Sequence, residues 1–252
     1  MDNDVSIDEI LNLNYFSLES ISQFLLLSWM VRDNSVNLDH LFLHIVGKYV
    51  NSRDNHDTYS NCEGQYLVVD FKIEELLEVN TYCRQYNRYS SLSYSKKDYP
   101  FVRKGVQVNP INSIGYNEKN AIDRAIMFLG YARKNSILAA KAAFYIAIIE
   151  ALMSHRDQMK PHEEVPRRLA TIMTSDTVDR EAIRKLLVLA YDFRSRHIHG
   201  GKLSKTLVNV NKQLGVIKEL DEIVRWLFRF VLFQCPEDFV DEKKRVKVIK
   251  EL

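Results

Sequence analysis

Apolar residues recur at helical spacing through much of the N-terminal part of the chain, with polar residues between them. Apolar side chains at positions i, i+3, i+4 and i+7 mark one face of a helix. This pattern predicts helices at residues 7–13, 18–31, 38–50 and 73–89. Residues 65–71 predict a strand instead, because Tyr66, Val68 and Val69 favour extended backbone. Residues 90–116 show no sustained period and form the best candidate boundary.

The helical period is more regular in the second half of the chain. It predicts five helices, at residues 117–134, 136–155, 161–173, 178–199 and 205–233. The second of these carries Ala, Ile and Leu on most sides, so it is expected in the core. Only 8 Gly and 5 Pro leave few positions that break helices. The chain is therefore predicted to be mainly α-helical, an antiparallel bundle preceded by a smaller, mostly helical module.

The net charge of +2 hides a difference between the two halves. Residues 1–116 hold 10 basic against 15 acidic residues, a balance of −5, whereas residues 117–252 hold 25 against 18, a balance of +7. We therefore predict two domains with this boundary. The basic half is suited to a polyanionic partner, although an ordinary protein surface can carry the same charge.

Cysteine usage and hydropathy bear on the compartment. The three cysteines are widely spaced and form no CxxC pair, which favours reduced thiols in a cytoplasm. No basic-then-apolar leader follows the acidic N-terminus, and the longest apolar run is too short to span a bilayer. We expect a cytoplasmic protein with no membrane partner.

The strongest chemical signal lies at the end of the helix predicted for residues 178–199. Arg194 offers a planar fork of donors suited to phosphate, and His199 can move a proton near neutral pH. On a straight helix the two side chains would point roughly 140° apart. His197 lies closer to the face of Arg194 and is therefore a rival of His199 for the proton-transfer role. Gly200-Gly201 can end the helix, however, and free the last turn so that His199 reaches the same side as Arg194.

Neighbouring residues have less specific interpretations. The candidate supporting residues are Ser195, Arg196, His197 and Asp192. Arg196 can equally be a solvated charge or part of a salt bridge, and Asp192 can orient an arginine across an interface or lie on the surface. Cations near a helix C-terminus also complement its dipole without any further role. Glu150 is expected to be buried with Arg167 or Arg168.

Three segments in order carry a resemblance to a known family. They are residues 149–152 (IEAL), 166–170 (PRRLA) and 189–200 (LAYDFRSRHIHG). Together they resemble the Apea-like branch of the HEPN superfamily, over roughly residues 117–235. This resemblance implies a helical bundle, often dimeric, in which an Arg-x4-6-His motif marks a metal-independent endoribonuclease. Arg194 and His199 match that motif, and Ser195 matches the polar residue that commonly follows the arginine.

The resemblance also implies a setting and partners. HEPN ribonucleases act in antiviral defence, including abortive infection, and in toxin–antitoxin growth control. RNA is then the substrate, a second copy of the chain the expected partner, and an antitoxin or trigger protein a further one. The alternative is a non-catalytic HEPN domain used for dimerisation or RNA binding. In either case residues 1–116 would sense a trigger.

Other motifs predict no cofactor. His40 and His44 have a helical i,i+4 spacing suited to a metal, but no glutamate follows the first histidine and no third ligand is evident, so no metal is predicted. Neither GxxxxGK[ST] nor GxGxxG occurs in the chain, so no nucleotide cofactor is indicated.

Overall fold

The computed structural model describes residues 7–45, 49–54, 58–91, 102–103, 106–107, 119–155 and 160–252. Within these ranges the protein is mainly helical, with two short antiparallel hairpins. The helices are α1 (Ile7–Ser28), α2 (Ile73–Tyr89), α3 (Ala121–Arg133), α4 (Leu138–Met153), α5 (Pro161–Met173), α6 (Thr177–Ile198), α7 (Val210–Phe233), α8 (Pro236–Val240) and α9 (Glu242–Glu251). The strands are β1 (His40–Ile45), β2 (Tyr49–Asp54), β3 (Val102–Arg103) and β4 (Val106–Gln107).

The helix predicted at residues 38–50 is wrong. This segment begins a hairpin in which β1 pairs antiparallel with β2, from His40 opposite Asp54 to Ile45 opposite Tyr49. A short apolar run fits a strand as well as a helix, and most of β2 lies beyond the segment with the helical pattern. The helical spacing of His40 and His44 is therefore not realised. The four-residue step from His40 to His44 spans about 13 Å along a strand.

Two further N-terminal predictions are corrected. The helices predicted at residues 7–13 and 18–31 form the single helix α1. The strand predicted at residues 65–71 is absent, although that segment carries the expected β-favouring residues. Its main chain is bonded by side chains instead: the Leu67 N–H donates to Ser35 Oγ, and Arg32 donates to the Asp70 carbonyl. Most of residues 90–116 lies outside the described residues.

The helices predicted in the second half are confirmed, with shifted ends. The last long helix starts at Val210 because the Asn209 side chain accepts hydrogen bonds from the backbone N–H groups of Asn211 and Lys212. Helix α4 lies centrally, packed against α3, α5, α6 and α7. Its residues Tyr145, Ile146 and Ile149 are almost fully buried, as its composition predicts. No helix in the described part of the chain combines the length and the apolar character needed to span a bilayer.

Residues from both sides of the predicted domain boundary share one hydrophobic core. Trp29 at the end of α1 is completely buried, and its indole N–H donates to Asp221 of α7 over 2.6 Å. The buried Arg133 of α3 donates to the carbonyls of Leu25 and Leu26 in the last turn of α1. The division into two domains is not tested and stays a prediction. The shared packing leads us to expect that residues on both sides of the boundary fold together.

A completely buried lysine provides a test of the core. Lys141 of α4 donates to the Ala132 carbonyl over 2.9 Å. Burial lowers its pKa from 10.5 to about 8, while the negative charge of Asp33 acts in the opposite direction. Between these two pH values the unfolded chain binds more protons than the folded one, so stability rises as the pH increases from 8.

Replacement Lys141→Met removes this buried charge. The variant is expected to be more stable than the parent at pH 7, and the difference should shrink by on the order of 3 kcal/mol as the pH approaches 10.5. Urea unfolding at a series of pH values measures it. The exposed Lys185→Met is the control and should leave the pH dependence of unfolding unchanged. A difference in the free energy of unfolding that stays constant with pH would contradict the lowered pKa of Lys141.

Candidate functional site

The site is built on the C-terminal half of α6. This helix begins at the Asp176 cap, whose carboxylate accepts from the N–H groups of Val178 and Asp179. It ends at Ile198, because Gly200 adopts a left-handed conformation with φ of 67° and the Gly201 N–H donates to the Arg196 carbonyl. The helix therefore ends at the double glycine, as the sequence predicts.

A cavity of about 840 Å³ lies between α6, the start of α5 and the end of α4. Helix α6 contributes one face to it, with side chains that recur at helical spacing from Arg184 to His199. Arg194, Ser195 and His199 are all among the lining residues. The structure thus brings the two principal sequence candidates to one cavity.

His199 lines the cavity one helical turn after Ser195, and its N–H still donates to the Ser195 carbonyl. It is the C-cap residue, with φ of −94° and ψ of 7°, and its side chain is exposed. The rival His197 is also exposed but does not line the cavity. The geometry therefore favours His199 over His197 as the partner of Arg194.

Arg194 is held in place by an acidic residue of α4. Its Nη1 atom lies 3.1 Å from Oε1 of Glu150, and both side chains are about a quarter exposed, at 31% and 22%. Glu150 also lies beside Tyr191, whose pKa is raised by burial and by the negative charge of Glu150. A neutral phenol, a carboxylate and a guanidinium therefore meet at the inner wall of the cavity.

The expected partner of Glu150 is corrected by this contact. Arg167 instead lies 3.1 Å from Glu164 and donates to the Leu252 carbonyl, and Arg168 lies 3.7 Å from Glu164. The spacing along the chain offered several arginines, and only the packing of α4 against α6 selects Arg194.

Two of the supporting candidates form a structural pair. Arg196 Nε lies 2.6 Å from Asp192 Oδ1, one helical turn away, and Arg196 Nη1 donates to the Lys202 carbonyl over 2.6 Å. Asp192 lines the cavity, whereas Arg196 does not. Arg196 thus ties the chain after the double glycine back to α6. Ser195 is exposed and lines the cavity next to Arg194.

The cavity also contains two basic residues that sequence reasoning missed. His162, in the first turn of α5, lies 3.7 Å from Glu163, and Arg184 of α6 lies 3.6 Å from Glu181. Arg184 precedes Ser195 by three helical turns, so the period of α6 could have revealed that they share a face. His162 comes from another helix, and no local signal places it there.

Among the described residues, a polar cluster away from the cavity brings together three side chains of the types that bind metal ions. Side-chain atoms of Asp33, Cys62 and Asp221 lie within 4.8 Å of one another. Their carboxylates already have partners, because Asp33 accepts from the Cys62 N–H and Asp221 accepts from Trp29 and Tyr145. None of these residues lines the cavity.

Comparison of this chain with protein-family models, with curated proteins and with solved structures finds no match.

Proposed function

We propose that this protein is an endoribonuclease of the HEPN type that cleaves RNA by attack of a ribose 2′-hydroxyl on the adjacent phosphate. The observation that carries the proposal is the shared cavity of Arg194 and His199. The resemblance to Apea-like HEPN domains concerns the same two residues. The basic balance of residues 117–252, +7, supports a polyanionic substrate.

The proposed reaction requires a proton acceptor, a proton donor and a cation at the phosphate. The 2′-oxygen forms a bond to phosphorus as it loses its proton, and the 5′-oxygen of the next nucleotide leaves and gains one. The products are a 2′,3′-cyclic phosphate and a free 5′-hydroxyl. His199 would transfer a proton, and Arg194 would stabilise the charge on the non-bridging oxygens.

Glu150 and Ser195 are assigned supporting roles. Glu150 positions the Arg194 guanidinium through the 3.1 Å ion pair, leaving the remaining N–H groups of the arginine to the substrate. Ser195 offers a hydroxyl at the cavity wall next to Arg194. Arg196 and Asp192 brace the chain beyond the helix, and His197 has no part in the reaction.

A second copy of the chain would complete the site. One chain supplies one Arg194–His199 pair, so a two-fold symmetric dimer would place two histidines and two arginines in one groove. Ile198, which lines the cavity yet is 54% exposed, supplies apolar surface for that contact. We further propose action in the cytoplasm in antiviral defence or toxin–antitoxin control, with an antitoxin or trigger protein as partner.

The test is incubation of the purified protein with total RNA in EDTA, followed by analysis of the new ends. The expected products carry 2′,3′-cyclic phosphates and 5′-hydroxyls, with an unchanged rate in the chelator. Light scattering at micromolar concentration should show a dimer. Products with 5′-phosphates, or cleavage that EDTA abolishes, would contradict the mechanism. A strictly monomeric protein that still cuts RNA would contradict the composite site.

The second candidate is a non-catalytic HEPN domain that binds RNA or dimerises. The ion pair favours it in one respect, because Glu150 offsets part of the charge that Arg194 would bring to a phosphate. RNA binding without any cleavage in the same assay would support this candidate over the nuclease.

A further inference from the structure

We infer that the cavity contains a second phosphate subsite, formed by Arg184 and His162, which binds the RNA backbone at a nucleotide flanking the cleaved bond. This inference rests on the proposed function and adds a substrate class to it. The substrate would be an RNA strand of several nucleotides that lies along α6, and not a dinucleotide.

The length of the cavity along α6 is the first argument. Arg184 and Arg194 line the same cavity but are separated by about 15 Å of helix, at a rise of 1.5 Å per residue. Arg194 is held by Glu150, and Arg184 pairs with Glu181, which lies still further from Arg194 along the helix, so we expect the two guanidinium groups to bind different phosphates. A strand that places its reactive phosphate at Arg194 therefore reaches Arg184 with a different phosphate, and successive phosphates are the regular feature of a nucleic acid backbone.

The weak ion pairs of the two residues are the second argument. Arg184 lies 3.6 Å from Glu181, and His162 lies 3.7 Å from Glu163, with all four side chains at least half exposed. Pairs of this kind stabilise a protein little, so a phosphate can replace the carboxylate at small cost. Glu181 itself does not line the cavity. Arg184 can therefore turn toward a phosphate without carrying its acidic partner with it.

The surface between the two ends of the cavity is the third argument. Val188 follows Arg184 by one turn on the same face of α6, and Pro161 and Pro166 of α5 line the cavity as well. Arg184 and Arg194 lie on either side of Val188 along α6 and supply the cationic groups of the cavity, which the carboxylates of Glu150, Glu163 and Asp192 line as well. Single-stranded nucleic acids bind where a positively charged track follows the backbone beside apolar surface that packs against the bases and sugars.

The test uses 2′-O-methyl RNA oligonucleotides, because a ribose without a free 2′-hydroxyl binds but is not cleaved. Affinity is measured by fluorescence anisotropy with Arg184→Gln and His162→Gln. Lys185→Gln is the matched control, since Lys185 lies next to Arg184, pairs with the same Glu181 at 3.7 Å and does not line the cavity. Thermal unfolding verifies that each variant is folded.

Arg184→Gln is expected to weaken binding roughly fivefold and to lower the slope of log affinity against log salt by about 1. His162→Gln should weaken binding in the same direction, and Lys185→Gln should leave it unchanged. Cleavage of an oligonucleotide with one free 2′-hydroxyl should show a higher KM in Arg184→Gln at an unchanged kcat. A dinucleotide should be cut equally by the parent and this variant.

Other results separate the two proposals. If the parent protein binds and cleaves RNA while Arg184→Gln behaves like Lys185→Gln, the second subsite is wrong and the nuclease stands. Equal loss on the dinucleotide and the longer strand also overturns the subsite, because it places Arg184 at the reactive phosphate. If the parent protein neither binds nor cleaves any oligonucleotide, both proposals fail.

Discussion

RNA cleavage is expected to fall at least a hundredfold when either Arg194 or His199 is replaced by alanine. His199→Ala removes the group that transfers the proton, which typically contributes about 10²–10⁴-fold. Arg194→Ala removes the cation at the phosphate and also leaves Glu150 without its partner at 3.1 Å. Initial rates on a labelled RNA in EDTA measure both effects.

The control for this experiment is a histidine in the same turn. His197 is exposed and does not line the cavity, so His197→Ala should retain near-parental activity. All three variants should keep the circular dichroism spectrum and the dimer of the parent. Full activity in His199→Ala with loss in His197→Ala would transfer the role to His197. Activity in both histidine variants would reject the site.

Deletion of residues 1–116 is expected to prevent the rest of the chain from folding stably. Trp29 and Met30 are completely buried in the same core as the helices that follow residue 117. Without them, apolar surface of α4 and α7 becomes exposed, and Asp221 loses the Trp29 indole donor at 2.6 Å. Loss of cooperative urea unfolding in the truncated protein would confirm this. A truncation that unfolds cooperatively with parental stability would support two independent domains.

A single substitution measures the same coupling in the full chain. Trp29→Ala should lower the free energy of unfolding by about 3–5 kcal/mol, the usual loss for a large buried aromatic residue. Trp29→Phe keeps much of the ring and removes the donor to Asp221, so it should lie between the parent and Trp29→Ala. Leu13→Ala, on α1 and 48% exposed, is the control and should change stability little. Equal effects of Leu13→Ala and Trp29→Ala would contradict a shared core.

The sequence by itself determined the features that depend on neighbouring residues. Helical period predicted α2 and the five helices of the second half, since one face of each is apolar and breakers are few. The dense apolar residues of α4 predicted its central place, and Gly200-Gly201 predicted where α6 ends. Arg194 and His199 were also predicted locally to belong to one site, and both line the cavity. The assignment of cleavage to these residues stays a prediction.

Only the tertiary structure decided the features that depend on residues far apart in the chain. Residues 40–45 are a strand and not a helix because they pair with residues 49–54. Residues 65–71 form no strand, and side chains such as Ser35 bond to their main chain instead. Glu150 meets Arg194 across 44 positions, and Trp29 meets Asp221 across 192. Local periodicity carries no information on such contacts, because they are set by how whole helices pack once their apolar faces are buried.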